Sequence, residues 1–75
     1  MNVNQDYEGL ANAIIIKAVD DYRKVLKALK HNPNNAKAMH GKREIEQFFE
    51  SDYFSVLSDV DPEMLIKKLR SEIGL

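Results

Sequence analysis

The residues able to do chemistry are few, and their spacing is the first thing to weigh. The two histidines, His31 and His40, stand nine positions apart on either side of a proline-containing turn, and neither opens a recognised ligand spacing. His40 with Glu44 is an i, i+4 pair, half of a metal site, but a metal needs three or four donors and the chain offers no second cluster. Asp20 with Asp21, and Asp59 with Asp61, are paired carboxylates. Neighbouring helical residues point about 100° apart, and Asp61 is better placed to cap a helix. There is no glycine-rich phosphate loop and no nucleophile elbow, so the expectation is a protein without catalytic residues, metal ligands or cofactor.

Basic residues are the stronger signal. Between Lys17 and Arg43 lie eight Lys and Arg against two acids, a local charge of +6, while the other positions carry −7 and the whole chain −1. Arg23, Lys27 and Lys30 share one face of a helix, and Lys37 and Arg43 follow beyond the turn. Those five are the candidates for touching successive phosphates of a nucleic acid. Against that reading, cations are favoured at helix C-termini in any case, and no aromatic residue interleaves with the lysines. A helix-turn-helix would also need a shorter first helix and a turn without Pro33. Protein binding has its own candidates: Ile16 falls on the polar side of its helix beside Arg23 and Lys27, and Met39 is displaced from the apolar stripe of the next one.

The element that must position these groups is the run from Leu10 to Lys30. At 100° per residue, Leu10, Ala11, Ile14, Ile15, Ala18, Val19, Tyr22, Val25, Leu26 and Leu29 fall within one half of the wheel, and charged residues fill most of the other half. This predicts a helix from about Asp6 to His31, capped by Asn4 or Asp6, with Lys27, Lys30 and His31 facing its C-terminal dipole. His31-Asn32-Pro33-Asn34-Asn35 stops it, because a residue before proline leaves the α region and asparagines suit a turn and a new cap. Ala28 and Pro33 with the alanines that follow resemble a tetratricopeptide junction, but the first helix runs straight through the point where such a repeat would turn.

A second helix is predicted over 35–50. Ala38, Gly41, Ile45, Phe48 and Phe49 form its apolar side, and Gly41 is either a close approach to the first helix or a break at His40-Gly41. Ser51-Asp52 opens a short helix from Tyr53 to Ser58 with Tyr53, Val56, Leu57 and Val60 as its apolar side. Asp61-Pro62-Glu63 starts the last helix, over 62–73, and Gly74 ends it. The aromatic cluster Phe48, Phe49, Tyr53 and Phe54 is assigned to the core rather than to a ligand pocket, because Phe49, Tyr53 and Leu57 are spaced i, i+4, i+8; Tyr22 is assigned there too, with its hydroxyl at the rim. The final segments are expected to return over the N-terminal part of the long helix. The fold class is therefore all-α: one domain over 1–75, a compact bundle of one long helix packed by two shorter helices and a short connecting one.

With 75 residues and no cysteine, stability has to come from helix packing or self-association, since neither a disulfide nor a thiolate metal site is available. No secretory leader and no run of 18 apolar residues is present, which predicts a soluble cytoplasmic chain without a membrane partner. A broad apolar face on so small a chain also makes a homodimer a reasonable expectation.

Ala13-Ile14-Ile15 through Asp21-Tyr22-Arg23, Leu26-Lys27-Ala28-Leu29-Lys30, Phe48-Phe49-Glu50-Ser51 through Phe54, and Asp59-Val60-Asp61-Pro62-Glu63 through Leu65-Ile66 together resemble a group of small proteins. These are encoded in prophages and integrative elements of Gram-positive bacteria, and the resemblance spans about residues 11 to 70. That group has no assigned catalytic or binding residues, so none is carried over. What the resemblance implies is context: a phage or mobile-element accessory protein that binds a host or phage protein, conceivably as inhibitor of a host defence protein, or assists the element's own regulation.

Overall fold

The computed structural model describes residues 3–75, with side chains from residue 9 onward. It contains α1 (Val3–His31), α2 (Ala36–Phe49), α3 (Asp52–Leu57) and α4 (Pro62–Ile73), and no strand among the described residues. The long helix starts at Val3, ahead of the expected Asp6; the Asn4 and Asp6 side chains proposed to cap it lie outside the described residues. Its 29 residues give a length of about 44 Å, which accounts for most of the 47 Å long axis of a body only 20 Å across.

Each later helix begins where the sequence provides a cap. Asn35 adopts an extended conformation and its side chain accepts from the Ala38 amide. Ser51 accepts from the Phe54 amide, and Asp61 from the Glu63 and Met64 amides ahead of Pro62. These side chains satisfy donors that a helix start leaves open. At the far end of α4, Gly74 takes φ 89, and the Leu75 and Gly74 amides donate back to Arg70 and Ser71, a Schellman closure.

The core gathers Tyr22, Leu26, Phe49, Phe54 and Leu69, with Ile15, Val19, Ile45, Phe48, Leu65 and Ile73 packed around them. Phe49 meets Tyr22 edge-on at 5.6 Å and Phe54 at 5.5 Å between ring centroids, the arrangement that aromatic quadrupoles favour. The Tyr22 side chain is fully buried. Its hydroxyl donates to Glu46 Oε2 at 2.6 Å, and Glu46 also pairs with Lys42 at 3.1 Å. Burial first, and that hydrogen bond second, push the Tyr22 phenol well above its ordinary value.

α2 is continuous through His40-Gly41, and Gly41 makes the expected close approach to the first helix: a Cβ there would sit 3.2 Å from Val25 Cγ1. Two expectations need correction. The apolar side assigned to the short helix is rotated. Phe54 is buried, whereas Tyr53, Val56 and Val60 are more than half exposed. Glu50 and Ser51 interrupt the helix between Phe49 and Tyr53, so the i, i+4 register does not carry across. Finally, α4 runs parallel to α1 and ends beside its C-terminal half, where Glu72 meets Arg23 and the Ile73 carbonyl meets Lys30. Leu10 stands 61% exposed although the wheel placed it on the buried face, whereas its neighbour Ala11 is buried.

Candidate interaction surfaces

The parallel course of α1 and α4, with α2 antiparallel between their turns, brings the C-terminal ends of two helices to one end of the molecule. Cations gather there. Lys27, Lys30, His31, Lys42, Lys67 and Arg70 line the hollows around Ile73, Gly74 and Leu75. Part of this charge is structural, because the partial negative charge of a helix C-terminus favours a nearby cation. Lys30 is the clearest case. Its Nζ donates to the Ile73 carbonyl at 2.7 Å, occupying space that a side chain at position 74 would fill.

Arg23 is equally committed. Its Nε and Nη2 both donate to Glu72 Oε2 at 3.2 Å, and Nη1 lies 3.8 Å from Asp20, so it clamps α4 to α1. Of the five cations proposed to follow a nucleic-acid backbone, Lys27, Lys37 and Arg43 are exposed and outside every ion pair among the described residues. They do not form one surface. Lys27 lines a hollow with Lys30 and Glu72, whereas Lys37 lines one with Lys24, Val25 and Ala28 on the other flank of α1. Lys37 and Arg43, six residues apart on α2, point about 120° away from each other.

The partner-binding set is also divided. Ile16 stands 60% exposed on the stripe of α1 that bears Arg23 and Lys27, while Met39 lies on α2. His40 and Glu44 form the expected exposed pair at 3.1 Å, and no group of three or more metal-binding side chains occurs among the described residues. No helix there is long and apolar enough to cross a membrane.

Met39 leads to a site that the sequence did not assemble. It lines a groove of about 350 Å³ between the α1–α2 turn, the start of α2 and the end of α4. Leu29, Pro33, Met39 and Leu75 are its apolar lining, and Lys30, Lys42 and Arg70 its charged lining. Lys30 and Lys42 have partners in Ile73 and Glu46; Arg70 is exposed and has neither ion pair nor side-chain hydrogen bond among the described residues. Sequence reading missed Arg70 and Leu75 because their place beside Met39 depends on the direction of α4, which no local signal states.

The surface formed by α3 and the start of α4 has a different character. Tyr53, Val56, Val60 and Met64 are each more than half exposed, interleaved with Asp52, Asp59, Asp61 and Glu63. Leu10 and Ile16 are exposed at the same end of α1 but point about 120° apart, so they do not extend one face. No known family model matches the chain, and no curated protein or solved structure is recognisably similar to it.

Proposed function

We propose that this protein is a non-enzymatic binding module whose groove takes an acidic segment of a partner protein bearing an apolar anchor residue. One observation supports this reading above others: one groove is lined both by Leu29, Met39 and Leu75 and by an Arg70 that has no acidic partner among the described residues. An apolar anchor gains from leaving water, and a planar guanidinium offers paired donors to a carboxylate, so one short segment satisfies both. In the setting implied by the resemblance to prophage and mobile-element proteins, the partner is a host or element protein that this contact occupies.

The test uses a labelled peptide with glutamates flanking a leucine, titrated while the Met39 methyl resonance is followed. The expected result is a saturable Met39 shift that is lost in Arg70→Glu and absent with a lysine-flanked peptide. Binding that is indifferent to Arg70→Glu would sink the proposal.

A second reading, a nucleic-acid-associated regulator, keeps the exposed Lys27, Lys37 and Arg43, none of which is in an ion pair among the described residues. Because these three do not share one surface, about one phosphate contact each way is available, and log affinity for a DNA duplex would fall against log salt with a slope of about −1. Failure to retain a duplex at low salt removes it.

A further inference from the structure

The surface formed by α3 and the start of α4 carries the complementary chemistry. From Glu44 to Ile66 the chain holds seven acidic residues and no Lys, Arg or His. Five of them, Glu50, Asp52, Asp59, Asp61 and Glu63, belong to no ion pair among the described residues. Between these acids stand Tyr53, Val56, Val60 and Met64, exposed by 54%, 68%, 52% and 68%. Phe54, buried at 1% exposure, anchors α3 so that these neighbours are held outward. An apolar set fixed in water and edged by one sign of charge is an interaction surface, and the groove is its match in both respects. The two are separated along α4, whose 12 residues span about 18 Å, so they do not meet within one molecule.

We propose that they meet between molecules: the acidic apolar surface of one copy docks on the cationic groove of the next, head to tail. This rests on the reading of the groove as a site for an acidic segment with an apolar anchor, and adds that the chain itself carries such a segment. A two-fold pairing centred on either surface would set acids against acids or cations against cations, whereas one that crosses both surfaces would close at a dimer. A head-to-tail contact of unlike surfaces extends into open chains unless its rotation closes a ring.

The small size of both surfaces limits its strength. Four exposed apolar side chains facing a groove of about 350 Å³ make a modest contact beside the roughly 800 Å² per partner of a stable complex. The association is therefore weak, concentration-dependent and easily screened, since the Debye length drops from about 30 Å at 0.01 M salt to about 8 Å at 0.15 M.

Sedimentation velocity on the full chain, from roughly 10 μM to 1 mM, tests this range of weak contacts. At low salt the average mass is expected to rise past two copies and to return to one copy in high salt. Arg70→Glu spoils the groove and Asp59→Lys spoils the acidic surface; both side chains are exposed and neither makes an ion pair among the described residues. Each variant alone, its helicity checked by circular dichroism, should stay monomeric. Their equimolar mixture should form a dimer and stop there, because only one intact groove and one intact acidic surface remain to meet. A wild-type chain monomeric at the top concentration in low salt, a plateau at a salt-resistant dimer, or a mixture no heavier than its parts would each overturn the proposal. If self-association fails while the acidic peptide still shifts Met39, the groove reading stands alone; if both fail, both are wrong.

Discussion

Gly41 offers a direct measure of how closely α1 and α2 are packed. Alanine at that position gains about 1 kcal/mol of helix propensity over glycine, but the new Cβ would stand 3.2 Å from Val25 Cγ1. Val25 cannot swing aside, because a β-branched side chain in a helix has one strongly preferred rotamer. The two backbones must separate instead, at a cost of about 1–3 kcal/mol for an overpacked contact. Gly41→Ala is therefore expected to leave stability unchanged or lower it by up to about 2 kcal/mol. In a Val25→Ala background the obstruction is gone. There the same substitution should stabilise by about 1 kcal/mol, while Val25→Ala itself costs roughly 1 kcal/mol for the half-buried share of two methyl groups. Urea denaturation of the four proteins, followed by far-UV circular dichroism, gives a coupling energy of about 1–3 kcal/mol. If Gly41→Ala stabilises both backgrounds equally, the glycine is not required by the contact and the packing described here is wrong.

Three further outcomes follow from the same contacts. The raised Tyr22 phenol keeps its proton in the folded chain when the unfolded chain loses it, so its stabilisation is complete below about pH 10 and declines above that, by about 1.4 kcal/mol per pH unit for one proton. Tyr22→Phe should remove that decline, and urea midpoints with the same alkaline slope in both proteins would refute it. Asp61→Ala should cost about 1 kcal/mol by opening the start of α4, and Asp61→Asn should retain most of it, as read from thermal midpoints. Gly74→Ala meets both a left-handed backbone and the Lys30 ammonium, so a loss of about 1–2 kcal/mol is expected; unchanged amide exchange across the last turn of α4 would contradict that.

What the sequence made legible was governed by local chemistry. Asn35, Ser51, Asp61 and Gly74 each mark a helix end by a side chain or backbone preference acting within a few residues, and all four do so in the structure. The rotated face of α3 was not legible, because a two-residue break resets the helical phase and only the bulk of Phe54 within the core decides the new one. Arg23 and Lys30 looked like free cations for a related reason. Their partners, Glu72 and the Ile73 carbonyl, lie 49 and 43 positions away, and no pattern in the α1 sequence points to them. The groove combines both difficulties, since Met39 and Arg70 become neighbours only through the parallel course of α4.

The same topology separates structural charge from charge that is free to act. Two helix C-termini at one end account for cations there whatever the protein binds, and Lys30 meets that need directly. Arg70 also lies in the last turn of α4, so the helix dipole explains why a basic residue is favoured at that position. It does not explain why that residue lines one groove with Met39, Leu29 and Leu75. Replacing Arg70 with glutamine distinguishes the two roles. A purely structural arginine would cost about 0.3–1 kcal/mol at an exposed helix end and leave binding untouched. An arginine that receives a partner's carboxylate would lose the acidic peptide's Met39 shift with an equally small stability change. A thermal melt and a methyl titration on the one variant therefore decide whether this end of the bundle is merely compensated or is a receiving surface.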